Sequence, residues 1–139
     1  LNSIRIYVNL GMNDKAIQLY ENDNASRMAE YSTSWSLGDI GVAYFKRGNK
    51  TKSMEIVKEL KSRGKKSPNG SPSFFTAAIY TAMEEKARAL EWLEKAYTDH
   101  EVEMYWLKVD PLFKPLHGEP RFKALVERVF NNNKNMQAP

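Results

Sequence analysis

The sequence predicts an all-α fold in which about three helix pairs are stacked and closed by a C-terminal capping helix. Three observations support this prediction: a recurring tyrosine, a break at a fixed distance after it, and apolar residues at helical spacing on both sides of the break. A chain of 139 residues has the length of one ordinary domain. We therefore expect a single helical domain over residues 1–130.

The tyrosine recurs at an almost constant interval. Tyr7, Tyr44 and Tyr80 are 37 and 36 residues apart. A fixed period of this size is typical of stacked supersecondary units. The period predicts three units, which cover about residues 1–33, 34–69 and 70–100.

The same offsets follow each tyrosine. The positions four, nine and thirteen residues later hold Gly11, Ala16 and Tyr20, then Gly48, Ser53 and Val57, then Glu84, Ala89 and Leu93. Glycine accepts the left-handed backbone conformation that often ends a helix. Each unit is therefore predicted to be two antiparallel helices, with the first helix ending four residues after the tyrosine.

Apolar residues lie at helical spacing on both sides of each break. In the second unit, Ile40 and Tyr44 precede Gly48, and Val57 and Leu60 follow it. Apolar residues three and four positions apart share one face of an α-helix. This pattern predicts one amphipathic helix on each side of the glycine.

These residues resemble the tetratricopeptide repeat, whose pattern is W-x2-L-G-x2-Y followed by A-x3-F over 34 residues. The second unit supplies Leu37, Gly41 and Tyr44, with Ser53 at the alanine position. The third unit has Ala77 in place of the glycine. The period here exceeds that of the family because the connections between units are longer. The three units are in phase over about residues 1 to 100.

The resemblance implies an α-α superhelix, that is, a solenoid whose first helices line a concave groove. It also implies a non-catalytic scaffold that binds a peptide or another protein in that groove. Carried over residue by residue, the family's partner-contacting positions are Arg5, Val8, Asn9, Trp35, Val42, Phe45, Lys46, Phe74, Ala78 and Thr81. The aromatic residues Trp35 and Phe74 are suited to anchoring a peptide. Either of them is equally suited to filling the core between units.

The period is lost after residue 100, and residues 101–130 are predicted to be a capping segment. Asp110-Pro111 and Glu119-Pro120 each have the pattern of a helix cap followed by a first turn. An apolar stripe from Phe122 to Phe130 predicts an amphipathic final helix. Residues 131–139 are expected to be disordered. The segment also resembles the end of tetratricopeptide arrays in bacterial signalling proteins, which implies part of a larger bacterial regulator.

The basic stretch 46–66 leads to a second functional hypothesis. It contains nine basic residues against Glu55 and Glu59. Such a stretch is typical of a nucleic-acid-binding patch, although it is also typical of a solvated helix face. A third hypothesis is a structural module that dimerises or spaces other domains, and the sequence leaves the oligomeric state open.

Several functional classes are not indicated by any motif. The chain has no cysteine, which excludes disulfides, thiolate metal sites and cysteine nucleophiles. His100 and His117 stand outside any metal-ligand spacing, and no phosphate-binding or nucleophile-elbow motif is present. We therefore expect no enzyme activity, no metal and no cofactor. No apolar run is long enough to cross a bilayer, so we expect no membrane partner and a cytoplasmic location.

Overall fold

The fold consists of helices joined by turns. The computed structural model describes residues 3–24, 33–64 and 71–137, and within these ranges it contains no β-strand. The helices of these ranges are α1 (Ser3–Asn9), α2 (Asn13–Asn24), α3 (Ser34–Lys46), α4 (Lys50–Arg63), α5 (Pro72–Ala82), α6 (Lys86–Thr98), the 3-10 helices η1 (Val102–Trp106) and η2 (Pro111–Leu116), and α7 (Pro120–Gln137). The all-α prediction is confirmed for this part of the chain.

The first six helices pack as three consecutive hairpins. Helix α1 packs on α2, α3 on α4, and α5 on α6, and a connection of three residues joins the helices of each pair. The first helices of neighbouring hairpins also contact one another, as do α2 with α3 and α4 with α5. Each later hairpin therefore rests on both helices of the hairpin before it.

The same turn ends the first helix of each hairpin. In all three turns, the tyrosine carbonyl accepts a hydrogen bond from the backbone N–H five residues later: Met12 to Tyr7 at 2.8 Å, Asn49 to Tyr44 at 2.9 Å, and Glu85 to Tyr80 at 3.0 Å. This closing bond belongs to the Schellman motif, which needs a left-handed residue just before the donor. The constant offset in the sequence thus reflects one local structure, a helix-ending turn that occurs three times.

The left-handed residue of the first two turns is the glycine that the sequence predicts there. Gly11 and Gly48 have φ values of 73° and 82°. In the third turn Glu84 takes the same conformation with φ of 61°. A residue with a Cβ atom pays about 1 to 2 kcal/mol for this conformation. The third turn therefore forms against the intrinsic preference of its residue.

A small residue is buried at the same position in the second helix of each hairpin. Ala16, Ser53 and Ala89 are completely buried at equivalent positions. Serine is accommodated in the second hairpin because its hydroxyl donates a hydrogen bond of 2.7 Å to the carbonyl oxygen of Gly41. The hydroxyl of Ser53 is thus paired although it is buried.

The C-terminal part of the chain begins with the two 3-10 helices and ends with α7. The carboxylate of Asp110 accepts a hydrogen bond of 3.0 Å from the N–H of Leu112, which confirms the predicted cap. Helix α7 packs on α6 and η1 and buries Phe122, Leu125 and Val129. It continues to Gln137, inside the segment predicted to be disordered, and no glycine or proline interrupts it after Pro120.

No helix of the described ranges is both long and apolar enough to cross a membrane.

Helices α3 and α5 approach closely because two glycines lie between them. A Cβ atom added at Gly38 would lie 2.5 to 2.8 Å from the Cδ1, Cγ and Cβ atoms of Phe75. A Cβ atom added at Gly41 would collide with Ile79. These glycines therefore serve packing between hairpins, whereas Gly11 and Gly48 serve turn conformation.

We expect Gly38→Ala to lower the free energy of unfolding by about 1 to 2 kcal/mol. Overpacking against Phe75 costs typically 1 to 3 kcal/mol, and the better helix propensity of alanine offsets up to about 1 kcal/mol. Urea denaturation followed by circular dichroism measures the change. Gly118→Ala is the control, because a Cβ atom there meets nothing within 4 Å. Equal stability of Gly38→Ala and the wild type would contradict this close packing.

Candidate partner-binding face

The first helices α1, α3 and α5 form the face on which the sequence places the candidate partner contacts. Residues 101–116, here called the covering segment, lie over part of this face. Its Asp110 bonds Arg5 at 2.8 Å, and its Glu103 accepts a hydrogen bond of 2.9 Å from the indole N–H of Trp35. Each of the three first helices therefore has a contact with the covering segment, since η2 also packs on α5.

Arg5 is the most strongly bonded of the candidate residues. Its Nη2 and Nε atoms lie 2.8 and 3.1 Å from the carboxylate of Asp39, and its Nη1 lies 2.8 Å from Asp110. Its guanidinium also lies 4.8 Å from the ring centroid of Trp35. Arg5 was predicted to contact a partner. In the structure Arg5 joins α1, α3 and the covering segment.

The side chain of Asp39 is completely buried, and its surroundings raise its pKa. Burial raises its pKa to about 6, although the hydrogen bonds and charge of Arg5 act in the opposite direction. Repulsion from Asp110 adds to the upward shift. One guanidinium is thus shared between two carboxylates, and it does not fully compensate the desolvation of Asp39.

An aromatic cluster continues from this charged group toward the covering segment. The ring centroids of Trp35 and Phe75 are 5.2 Å apart, those of Phe75 and Phe74 are 5.1 Å apart, and those of Phe74 and Phe113 are 4.9 Å apart. Edge-to-face contacts at such distances are favourable for aromatic rings. Phe74 is completely buried in this cluster, so it fills the core, and Trp35 is half-buried.

Glu101 secures the start of the covering segment. Its carboxylate accepts hydrogen bonds from the backbone N–H groups of Phe74 and Ser73 at 2.8 and 3.1 Å. These N–H groups lie in the first turn of α5, where Ser71 makes no capping bond with its side chain. Burial raises the pKa of Glu101, and these hydrogen bonds oppose the shift. A residue distant in sequence therefore completes the N-terminus of α5.

The ten candidate residues differ in their access to solvent. Five are buried: Val8, Val42, Phe74, Ala78 and Thr81. Three are half-buried: Arg5, Trp35 and Phe45. Two are exposed: Asn9 and Lys46. In this conformation the buried side chains contribute to the core, and Thr81 also donates a hydrogen bond of 2.8 Å to the carbonyl of Ala77.

A cleft remains open beside the covering segment. It has a volume of about 670 Å³ and lies between α3, the end of α5 and η2. Val42, Lys46 and Thr81 line one side, and Pro111, Leu112 and Pro115 line the other. The structure thus brings three predicted residues together. The cleft is also lined by residues of η2. No sequence pattern connects these η2 residues with the three predicted residues, because the chain returns across α3 and α5 to bring them together.

The charges at the cleft come from three more side chains. Lys46 is exposed at the rim, and Glu84 and Lys86 also line the cleft. Lys86 forms an ion pair of 3.3 Å with Glu119, so part of its charge is balanced within the chain. Lys46 is therefore the cation that is best placed to meet a partner.

The basic stretch 46–66 is largely engaged with the protein itself. Lys52 bonds Glu21 at 3.0 Å, and Lys61 donates a hydrogen bond of 3.0 Å to the hydroxyl of Tyr80. Arg47 and Arg63 form ion pairs with Asp14 and Glu59. Four of the seven basic side chains of this stretch within the described ranges thus have intramolecular partners. Lys65 and Lys66 lie outside the described residues.

The two histidines and the acidic side chains are the candidate metal ligands of this chain. Within the residues that the structure describes, no cluster of three or more His, Asp or Glu side chains is arranged to hold a metal ion. His117 stacks on Phe122 with ring centroids 5.3 Å apart, away from the cleft lining.

Among known proteins, no protein-family model matches the chain, and no curated protein and no solved structure matches it either.

We expect Arg5→Ala to destabilise the fold by about 3 to 5 kcal/mol, because it leaves two buried carboxylates without a counter-charge. Arg47→Ala is the control, since it removes an ion pair whose side chains are both more than half exposed. Such surface pairs contribute about 1 kcal/mol or less. Urea denaturation of both variants measures the difference. Similar losses in the two variants would contradict the structural role of Arg5.

We expect Asp39 to make the stability depend on pH between about 4 and 7. An aspartate in the unfolded chain has a pKa near 3.9, which is lower than the pKa of Asp39 in the folded protein. The folded state therefore binds the proton of this carboxyl group more tightly. The contribution to stability is therefore complete below about pH 4, and it is lost as the pH rises through about 6. Asp39→Asn cannot titrate at this position. The unfolding free energy of the wild type, minus that of Asp39→Asn, should fall by roughly 2 to 3 kcal/mol across this range.

Unfolding in urea at a series of pH values gives this difference directly. A constant difference from pH 4 to pH 7 would show that Asp39 keeps an ordinary pKa in the folded protein.

Proposed function

We propose that this chain is a solenoid of the tetratricopeptide type that acts as a non-catalytic scaffold for a peptide or another protein. The support lies in the repetition of structure as well as sequence. The three hairpins share one turn with a backbone bond of 2.8 to 3.0 Å, and each buries a small residue at the same position of its second helix. The first helices of neighbouring hairpins lie in contact, as the proposed superhelix requires.

The cleft beside the covering segment is the observation that carries the binding proposal. Its volume of about 670 Å³ is within the range of about 300 to 1,000 Å³ that ligand pockets have. Three of its lining residues stand at positions that the resemblance assigns to partner contact. Of these three residues Lys46 is exposed, so a partner in the cleft reaches at least this predicted position.

The lining indicates the chemistry of the partner. Leu112 and the two prolines Pro111 and Pro115 provide an apolar surface, and Lys46 provides a cation at its rim. In this proposal the partner is a peptide segment with an apolar side chain in the cleft and an acidic side chain near Lys46. A rim charge of this kind contributes mainly to specificity and association rate.

The proposal also covers the larger protein to which the chain belongs and its location in the cell. The resemblance of the C-terminal segment to arrays in bacterial signalling proteins supports a role within a larger bacterial regulator, and a cytoplasmic location is consistent with that role. For nucleic-acid binding, by contrast, the basic stretch would have to exchange several of its intramolecular contacts for phosphates.

We expect Lys46→Glu to weaken peptide binding by about fivefold to tenfold. The probe is a library of random short peptides displayed on phage and selected on the wild-type chain. Selected peptides should be enriched in one acidic and one apolar residue, and reversal of a rim charge near the acidic residue raises Kd by this factor. Fluorescence anisotropy with the selected peptides gives the Kd values.

Lys58→Glu is the matched control, because Lys58 is exposed on α4 and does not line the cleft. Circular dichroism should show equal helicity in both variants. Peptides that bind Lys46→Glu and Lys58→Glu equally well, or a selection that yields no peptide, would argue against the cleft as the binding site.

A further inference from the structure

Helix α1 presents an apolar surface to solvent. Ile6 is 49% exposed, and Leu10, just after the helix, is 67% exposed. The two residues are four positions apart and share one side of the helix. Tyr7 lies between them in sequence and is half-buried. We call Ile6, Tyr7 and Leu10 the α1 outer surface.

The residues equivalent to Ile6 in the later hairpins are completely buried. They directly precede Tyr44 and Tyr80, and they are Ala43 and Ile79, each with 0% exposure. Ile79 packs on the hairpin before it, since its side chain fills the space that a Cβ atom at Gly41 of α3 would need. Ala43 belongs to α3, which packs on both α1 and α2. This position therefore faces the preceding hairpin at Ile79, and at Ala43 it is buried in a helix that packs on the preceding hairpin.

The repeated tyrosine also contacts the preceding hairpin. The hydroxyl of Tyr44 donates a hydrogen bond of 2.8 Å to Glu21 on α2. The hydroxyl of Tyr80 accepts a hydrogen bond of 3.0 Å from Lys61 on α4. In each case the partner is a charged side chain on the second helix of the hairpin before it.

The residues equivalent to Leu10 complete this pattern. Arg47, three residues after Tyr44, forms an ion pair with Asp14 at the start of α2. Met83, three residues after Tyr80, is 9% exposed. All three positions of the α1 outer surface are thus covered or bonded in the later hairpins.

We propose that the α1 outer surface is a docking site for a further helical hairpin of the same type, ahead of α1 in the same polypeptide. In both observed interfaces the covering hairpin is the one directly before in the chain, so the same connection places an added hairpin on α1. Its first helix has a small residue opposite Ile6, as Gly41 stands opposite Ile79. Its second helix has a charged side chain that bonds the Tyr7 hydroxyl. This inference rests on the contacts between hairpins and does not depend on the proposed partner-binding cleft.

The test adds a hairpin whose sequence is already known to make this contact. A copy of residues 33–73 placed directly before Leu1 puts the copied tyrosine 36 residues ahead of Tyr7, which is the spacing between Tyr44 and Tyr80. The copy includes the glycines of α3 and the lysine of α4 that contact α5. Thermal unfolding is measured for the wild-type chain and for this extended chain.

We expect the extended chain to gain helix in circular dichroism and to have a Tm higher by about 5 °C or more. We also expect Ile6→Gln to remove most of this gain, while it lowers the Tm of the unextended chain by only about 1 to 2 °C because Ile6 is half exposed there. Phe130→Gln is the control, since Phe130 is 36% exposed and lies on α7, which packs on α6 and η1. It should change the two chains equally.

Three outcomes would overturn the proposal. The first is an extended chain without added helix, and the second is an Ile6→Gln effect of equal size in both chains. The third is a wild-type chain that dimerises in sedimentation analysis and becomes monomeric with Ile6→Gln, since this result would assign the surface to a second copy of the chain.

Discussion

The shared guanidinium of Arg5 is the interaction on which the arrangement of this protein depends. It joins α1 to Asp39 on α3 and to Asp110 of the covering segment, and Asp110 is 105 residues away in sequence. Both carboxylates are almost completely buried, so their charges require a partner inside the fold. The first helix, the second hairpin and the C-terminal part are therefore held in one relative position.

The position of the covering segment follows from the bond between Arg5 and Asp110. Once Asp110 is bonded to Arg5, Phe113 packs on Phe74 and Glu103 meets Trp35. Glu101 adds two hydrogen bonds to the first turn of α5. The segment fills part of the surface that the first helices would otherwise expose. What remains is a cleft with one basic rim, and this restricts the chemistry of any partner that binds there.

The hairpins themselves depend on short-range interactions. Each turn closes with a bond between residues five positions apart, and two of the three turns use glycine in the left-handed conformation. Glu84 adopts that conformation without glycine's freedom because packing of α5 on α6 holds the third turn. The contacts between hairpins add polar links from Tyr44 and Tyr80 to the helix that precedes each of them. Local turns and repeated contacts thus reinforce one another, which is the condition for a stack of similar units.

The sequence by itself determined the hairpin helices, their turns and the positions of the small buried residues in the second helices. These features depend on residues a few positions apart, and the offsets after Tyr7, Tyr44 and Tyr80 record them directly. The tertiary structure decided which side chains of the first helices remain accessible. Arg5, Trp35 and Phe74 occupy positions assigned to partner contact, yet their neighbours include Asp110, Glu103 and Phe113, which no local pattern connects with them. Burial of a side chain depends on every segment that returns to cover it, and such long-range contacts leave no periodic signal in the sequence.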